Sequence, residues 1–465
     1  MNKLYFLILL LHQISFTQTA NIDTSFAVGT GKQYYSGGSV VVNKMIAMSD
    51  GKLLVIGQFT DYNGYTISNI VKLNANGTRD ATFNPGTSTN AGIWDCAIQT
   101  DGKILIVGGF TGFNGISRNR IARLNTNGSL DTSFVSSTGP DDYVDELELQ
   151  PDGKIIIVGR FLNVSGTARS KIARLNATGS LDTSFAVGLG ADGNIVALTL
   201  QTDGKILIGG DFVTYNGTTM KHLARLNTNG SLDTTFSIGT GTNTGVRVIT
   251  LQSDGKLLVG GSFQSYNSVS SKGITRVNTD GSLDTSFTAG TGASFVNDIF
   301  CQTDGKILIG GFFSTYAGIA INNFARLNSS GSLDTTLTIG SGFDSSISEV
   351  NRQSDGKILV GGSFTTYNGT TRNHLVRITD GTLNIDEFAT AKITVFPNPV
   401  SGSISFVSNY LINIQKIQVI DIEGRIVLEQ YNNISEVNVE DLTKGVYILN
   451  VISDQGKLET KFIKE

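Results

Sequence analysis

A ten-residue stretch recurs along this chain and restricts the folds available to it. Its Asp-Gly-Lys triplet begins at Asp50, Asp101, Asp152, Asp203, Asp254, Asp304 and Asp355. Successive copies are 51, 51, 51, 51, 50 and 51 residues apart. A period of this size is typical of solenoids, propellers and arrays, in which each unit buries its apolar face against its neighbours.

The fourth unit illustrates the secondary structure that each repeat predicts. Glycine in the Asp203-Gly204 and Asn229-Gly230 pairs allows tight hairpin turns. Short apolar, β-branched segments between the turns predict four antiparallel strands: Val196–Leu200, Ile206–Ile208, Leu223–Leu226 and Leu232–Phe236. Four such strands without helical periodicity predict an all-β fold built of propeller blades. A solenoid coil of the same length is the alternative.

Seven turns predict a seven-bladed β-propeller over residues 21–386. The first copy of the fourth strand, Ile22–Phe26, precedes every Asp-Gly-Lys turn, whereas the last unit ends near Ile378 without a close copy. We therefore expect Ile22–Phe26 to pair with Leu375–Ile378 and close the ring, which removes an exposed sheet edge. The alternative is that Leu383–Asp386 completes the last blade.

The repeat resembles the delta-60 repeat β-propeller family of bacterial proteins. The resemblance covers roughly Ile22 to Thr382 and is based on Asp-Gly-Lys-Ile-Leu-Ile-Gly-Gly-x-Phe, followed by Ala-Arg-Leu-Asn-x-x-Gly-Ser-Leu-Asp-Thr-Ser-Phe. It implies the propeller fold but no activity, because the family has no general one.

The first 20 residues have the pattern of a signal peptide. Lys3 precedes an apolar core of 8 residues, Leu4–Leu11, and a polar stretch leads to Ala20. The core is too short for a membrane-spanning helix, which needs about 20 apolar residues. We expect removal between Thr17 and Ala20, and no transmembrane segment elsewhere.

Residues 387–465 lack the repeat, and their alternating pattern and turn residues predict a small Ig-like β-sandwich. This segment resembles the type A sorting domain of the type IX secretion system of Bacteroidota. The residues that carry the resemblance are Phe396, Pro397, Asn398, Pro399, Gly424, Arg425, Gly445, Tyr447, Lys461 and Lys464. The resemblance implies the type IX secretion machinery and its sortase as partners, and a secreted or outer-surface location reached through the periplasm. An ordinary accessory module is the alternative.

Composition excludes several classes of protein. The net charge is -4 without a basic patch, so we expect no nucleic-acid partner. Two cysteines, Cys96 and Cys301, fall in blades two and six, too far apart for a disulfide, and we expect buried free thiols. His222 and His374 occupy non-neighbouring blades, so no metal site is expected. We expect a monomer with no cofactor and no catalytic constellation.

The longer loops gather on the rim opposite the Asp-Gly turns, and there the repeats differ. Aromatic and cationic residues on this rim are the candidate ligand-binding set: Tyr34, Tyr35, Trp94, Tyr143, Arg118, Arg169 and Arg372. Aromatic rings beside polar groups suit glycans or peptides. Tyrosines that recur regularly, such as Tyr215 and Tyr266, are expected to pack between blades instead.

These features favour a non-enzymatic protein that binds a glycan or protein through the variable rim. The alternative is a secreted hydrolase or lyase that acts on polysaccharide, which would require unrepeated acids facing the ring axis. Asp141, Asp142, Asp145 and Glu146 are its candidates, although four acids in one loop are also typical of solvated charge. A purely structural surface protein is the second alternative. The ligand's identity does not follow from the sequence.

Overall fold

The computed structural model describes residues 18–27, 40–135, 138–380, 393–408, 414–431, 436–453 and 456–465. Its regular elements are all β-strands, and the chain divides into two compact units, residues 1–381 and 382–465. No helix in these ranges is long and apolar enough to cross a membrane. The expected signal peptide core and Leu383–Asp386 lie outside the described residues.

Each blade is built on a three-stranded antiparallel sheet. The first strands are Val41–Ala47, Ile93–Ile98, Val144–Leu149, Ile195–Leu200, Val246–Leu251, Val296–Cys301 and Ile347–Arg352. The second strands are Leu53–Gln58, Ile104–Gly108, Ile155–Gly159, Ile206–Gly210, Leu257–Gly261, Ile307–Gly311 and Ile358–Gly362. The third strands are Ile70–Leu73, Ile121–Leu124, Ile172–Leu175, Leu223–Leu226, Ile274–Val277, Phe324–Leu327 and Leu375–Thr379. The second strand lies in the middle of each sheet, and this places the first strand at one edge.

A small hairpin joins the second and third strands of every blade. The seven hairpins are Asp61–Tyr62 with Tyr65–Thr66, Gly112–Phe113 with Ile116–Ser117, Asn163–Val164 with Thr167–Ala168, Thr214–Tyr215 with Thr218–Thr219, Ser265–Tyr266 with Val269–Ser270, Thr315–Tyr316 with Ile319–Ala320, and Thr366–Tyr367 with Thr370–Thr371. Their regular aromatic residues are buried, and the Tyr266 hydroxyl donates to the Gly281 carbonyl at 2.6 Å. These tyrosines are therefore part of the blade packing.

The predicted fourth strand is much shorter than the sequence suggests. In blade four its only ladder contact is a bridge between Leu226 and Leu232. The carboxylate of Asp233 then accepts a hydrogen bond from the Thr235 amide at 3.0 Å. A side chain that bonds the backbone two residues on turns the chain out of the extended conformation. Leu232–Phe236 is thus one bridge followed by a turn.

Close packing between blades explains the repeated Gly-Gly pair. A Cβ at Gly209 would lie 2.6 Å from Val246 of the next blade, and one at Gly210 would lie 2.0 Å from the Asn194 carbonyl. Second strands are buried throughout their length in blades two to seven. Gly209 therefore lets the neighbouring sheet approach, whereas Gly210 makes room for the backbone at the start of the first strand of its own blade.

The lysine of the Asp-Gly-Lys turn belongs to a buried ion cluster that recurs around the ring. In blade four, Asp233 accepts from Lys205 at 2.9 Å and from Arg225 at 2.7 Å. Arg225 also donates to the Thr279 carbonyl of blade five at 2.6 Å. The strand aspartate and the arginine thus pair within one blade, and the arginine also bonds this blade to the next one.

The N-terminal segment closes the ring. Asn21–Ile22 pairs antiparallel with Leu375–Thr379, so that Ile22 faces Ile378. Asp23 takes the aspartate position of the seventh ion cluster, and the Arg377 guanidinium donates to Ala75 of blade one at 2.8 Å. The predicted closure is confirmed, although the paired strand is two residues long and Thr24-Ser25 forms a turn.

The C-terminal unit contains two antiparallel sheets. The first contains Ile393–Phe396, Ser403–Ser408 and Glu436–Asn438, and the second contains Ile426–Tyr431, Ile414–Ile420, Gly445–Ser453 and Gly456–Lys464, each in spatial order. Apolar residues from both sheets, among them Ile404, Val419 and Leu449, form one buried core.

Candidate functional site

First strands from six of the seven blades line one cavity of about 320 Å³, which must therefore lie on the ring axis. We call it the axial cavity. Each first strand carries a β-bulge at the same place, for example between Ile93 and Asp95. A bulge re-aims side chains and is frequent beside functional sites. The bulged residue comes early in the strand, so it lies towards the rim where the blade-to-blade loops enter.

Two consecutive positions of the repeat line this cavity in every blade except the fourth. The first, the bulge tier, contains Asn43, Trp94, Asp145, Val196, Arg247, Asn297 and Ser348. The second, the charge tier, contains Lys44, Asp95, Glu146, Ala197, Val248, Asp298 and Glu349. The scaffold repeats, but these two positions do not, and five neighbouring blades contribute a charge to the second.

Acidic residues of the charge tier bond to the next blade around the ring. Asp95 accepts from the Leu147 amide at 2.8 Å, and Glu146 accepts from the Leu198 amide at 2.6 Å. Asp298 accepts from the Val350 amide at 2.6 Å in the same manner. The only cation of the tier, Lys44, contacts Asp95 at 2.5 Å. Asp95 thus links Lys44 of blade one to Leu147 of blade three.

The environment of the cavity favours protonated carboxyl groups. Burial raises the pKa of Glu146 and of Glu349 well above the ordinary range, and nearby carboxylates raise both further. Burial also raises the pKa of Glu148 to about 7 and that of Asp298 to about 6. Burial opposes the charge of Lys44, but nearby carboxylates, Asp95 foremost, raise its pKa well above normal. The cavity therefore combines ionised and proton-bearing carboxyls at neutral pH.

Aromatic and cationic side chains meet at the rim end of the cavity. The rings of Trp94 and Tyr143 pack edge to face, with centroids 4.8 Å apart. The Arg160 guanidinium lies over both rings, at 4.9 Å and 5.5 Å, and contacts Asp145 at 3.2 Å. Arg120 lies 4.8 Å over the Tyr143 ring. We call Trp94, Tyr143 and Arg160 the mouth group.

The candidate binding residues separate into three sets. Trp94 and Tyr143 come together in the mouth group. Arg118, Arg169 and Arg372 occupy equivalent hairpin positions, and each donates to the carbonyl of the preceding residue at 2.8 Å. None of these three arginines lines the axial cavity. Tyr34 and Tyr35 lie outside the described residues.

The candidate acids separate as well. Asp141 and Asp142 belong to a loop, where Asp141 accepts from the Leu162 and Asn163 amides at 2.9 and 3.0 Å. Asp145 and Glu146 instead belong to a strand and line the axial cavity. The interpretation of these four acids as one solvated loop was therefore wrong. Superposing the seven repeats would have revealed the unrepeated charge tier.

The histidines and cysteines serve the packing of the blades. His222 bonds the Thr242 carbonyl at 3.0 Å, and His374 is buried. Cys96 is buried, as predicted, whereas Cys301 is half-buried, and both are free thiols. Within the described residues, no group of three or more His, Cys, Asp or Glu side chains could hold a metal ion.

Residues of the sorting motif occupy turns, strand ends and the core of the C-terminal unit. Tyr447 stacks on Phe462 with centroids 5.5 Å apart, and Lys464 donates to the Ser401 carbonyl at 2.9 Å. Asn398 accepts from the Ile463 amide and donates to the Lys461 carbonyl. Phe396 is exposed, and Pro397 and Pro399 follow it in the same segment. Gly424 and Arg425 lie in a turn, and Gly445 begins a strand.

Comparison with known proteins identifies both units. The description "Domain of unknown function (DUF5122) beta-propeller" matches residues 49–83, 99–134, 150–185, 201–236, 252–287, 302–337 and 353–384. The description "Secretion system C-terminal sorting domain" matches residues 394–465. Both predicted resemblances are thereby confirmed.

A curated relative and two solved structures resemble parts or most of the chain. An ulvan lyase, NLR42 from Nonlabens ulvanivorans, is 33% identical over 87 residues, which are 18% of this chain and 16% of the lyase. The extracellular domain of BT4673 from B. thetaiotaomicron matches with a TM-score of 0.51 and 12% identity, over 97% of this chain and 60% of that one. PorZ of Porphyromonas gingivalis, a surface component of its type-IX secretion system, matches with a TM-score of 0.43 and 14% identity, over 91% and 59%.

This chain therefore spans less than two thirds of each of these relatives, and the BT4673 likeness supports the fold alone. The seven propeller matches together cover more than half of the chain. The protein thus belongs to the DUF5122 β-propeller family and carries a C-terminal sorting domain for export by the type IX secretion system to the cell surface or extracellular space.

Proposed function

We propose that this protein is a non-enzymatic binding protein that takes a glycan at the mouth of its axial cavity. The observation that carries the proposal is the pairing of its only tryptophan, Trp94, with Tyr143 at the entrance to a cavity lined by polar side chains. An aromatic face packs against the apolar face of a sugar ring. Carboxyl and amide groups on the cavity wall can bond its hydroxyls.

Divergence among the repeats supports this proposal. The ion cluster of lysine, arginine and aspartate recurs with nearly the same distances, as its structural role requires. The bulge and charge tiers vary from blade to blade although they lie at equally regular positions. Because backbone packing does not demand this variety, a ligand that contacts several blades at once is its simplest explanation.

Glycan and peptide arrays probed with the mature protein test the proposal. We expect glycan binding that Trp94→Ala weakens at least tenfold, a loss of about 1.4 kcal/mol in binding free energy. Tyr65→Ala is the matched control, because Tyr65 is exposed on the blade-one hairpin and does not line the cavity. Blank glycan arrays, binding to peptides only, or full binding by Trp94→Ala would each refute it.

A secreted polysaccharide hydrolase or lyase is the second candidate. It is favoured by the unrepeated carboxyls on the axis, where proton-bearing and ionised groups occur together, as acid–base catalysis requires. Turnover of a polysaccharide panel separates the two functions. An enzyme would lose turnover in Asp298→Asn with Glu349→Gln and keep it in the loop control Asp142→Asn. The binding proposal expects no turnover by the wild-type protein.

A further inference from the structure

One cationic side chain of the axial cavity forms no direct bond with any residue that the structure describes. Arg247 is the bulge residue of blade five, and its side chain is exposed to the cavity. Among the described residues, nothing forms a hydrogen bond or ion pair with its guanidinium. The other two cations on the wall are paired, Lys44 with Asp95 and Arg160 with Asp145. Its charge, like that of Arg160, acts on Asp145 and partly offsets the burial that raises the pKa of this carboxyl. A guanidinium without a direct bond on a cavity wall is suited to a planar anion from a ligand.

Arg247 shares the rim end of the cavity with the mouth group. Arg160 is held over the Trp94 and Tyr143 rings, and 39% of its side chain remains exposed. The entrance therefore presents an aromatic surface and two guanidiniums in one concave site. A sugar ring packed against the aromatic rings would carry its substituents to these cations.

We propose that the axial cavity selects saccharides bearing an anionic substituent, a carboxylate or a sulfate, and that Arg247 is the residue that recognises it. This inference rests on the proposed glycan-binding function and narrows its ligand class. Asn43, Asn297 and Ser348 of the bulge tier, which also line the cavity, would bond the neutral hydroxyls of the same ring.

The acids of the charge tier are compatible with an anionic ligand. They follow the bulge tier by one residue along each strand, so they lie deeper than the guanidiniums. Glu146 and Asp298 also bond backbone amides of the next blade. Burial keeps protons on part of this tier at neutral pH, which reduces repulsion of an anion bound at the mouth.

Titration calorimetry with matched oligosaccharides tests the inference. The probes are a trigalacturonate, its fully methyl-esterified form, and a sulfated neutral trisaccharide with its unsulfated parent. We expect at least one charged form to bind tenfold or more tightly than its neutral counterpart. Arg247→Gln should remove that preference and leave the affinity for the neutral form unchanged. Arg247→Lys, which keeps the charge without the planar fork, should retain part of the preference.

Arg118→Gln is the matched control, because Arg118 lies on a hairpin outside the cavity. The protein could prefer only the carboxylate probe or only the sulfate probe. If Arg247→Gln abolishes that preference, the result supports the inference and identifies the anion. Equal affinity for charged and neutral probes, or an equal loss in Arg118→Gln, overturns it. Glycan binding that depends on Trp94 but shows no preference for a charged form overturns only this inference. Absence of binding to every glycan overturns the proposed function as well.

Discussion

Asp23 is the aspartate of the ion cluster in blade seven, although it comes from the N-terminal segment. In the other six blades this aspartate belongs to the same repeat as its partners. It accepts from Arg377 at 2.7 Å and from Lys357 at 3.1 Å, and Arg377 reaches Ala75 of blade one. We expect Arg377→Ala to cost about 3 kcal/mol of unfolding free energy, because it leaves a buried carboxylate short of a partner and removes the bond across the ring closure.

Arg276→Ala is the control for that substitution, since it removes the equivalent contacts inside the ring. Hydrogen exchange should show Arg377→Ala opening strand Leu375–Thr379 locally, whereas Arg276→Ala should not. Equal exchange profiles would mean that the closure between first and last blades is no weaker than any other junction.

Two kinds of carboxyl group should make the stability of the propeller depend on pH in opposite directions. Against the effect of burial, hydrogen bonds from Ser25 and Lys357 lower the pKa of Asp23 to about 2, so its contribution is complete above the unfolded pKa near 3.8 and is lost as pH falls through about 2. Burial raises the pKa of Asp298, in the axial cavity, to about 6, and that of Glu148, two residues beyond Glu146 in the first strand of blade three, to about 7. The folded state holds their protons where the unfolded chain has released them, so stability falls as pH rises from about 4 to about 7.

Thermal melts from pH 3 to pH 8 should therefore show a maximum in the mildly acidic range and a decline towards pH 8. Asp298→Asn, which cannot ionise, should flatten that decline, whereas Asp142→Asn in the exposed loop should not. A melting temperature that rises from pH 5 to pH 8 in the wild-type protein would contradict this prediction.

At the scale of elements, the N-terminal strands suggest where the signal peptide ends. Gln18–Thr19 pairs in parallel with Leu337–Thr338, and the Ala20 carbonyl accepts from the Tyr367 hydroxyl at 2.8 Å. Ala20 is 1% exposed. Cleavage after Ala20 would remove these contacts, so we expect cleavage after Thr17, with Gln18 as the first mature residue.

Mass spectrometry of the exported protein identifies its first residue directly. A variant that begins at Asn21 should melt below the form that begins at Gln18, because it lacks the parallel strand against blade six. An exported protein that starts at Asn21 and melts no lower than the Gln18 form would show that these contacts do not matter.

Local patterns predicted the blades, and contacts between distant residues account for what they missed. The three main strands follow from alternation and glycine turns, and the pairing of Ile22 with Ile378 follows from counting repeats. The fourth strand is shorter than its sequence pattern predicts, because the Asp side chain bonds the backbone two residues on and turns the chain. The charge tier escaped notice because its members are 50 or 51 residues apart and become neighbours only when the ring closes.

At the scale of the whole molecule, the chain consists of two units with separate cores. Residues 1–381 and 382–465 are compact by themselves, and the sorting unit packs Ile404, Val419 and Leu449 in a core of its own. Two such units should unfold in separate transitions. Export depends on the second unit, whereas the ring closes entirely through residues of the first.

We therefore expect a chain ending at Asp380 to keep the melting temperature of the propeller and to remain in the periplasm. Calorimetry should show one transition instead of two, and fractionation of the native host should show loss of the surface and extracellular pools. Glu440→Ala in the full-length chain is the control, because Glu440 is exposed in the sorting unit outside the motif residues and should leave export intact. Surface delivery of the truncated chain would refute the export role, and a lower melting temperature would refute the independence of the two units.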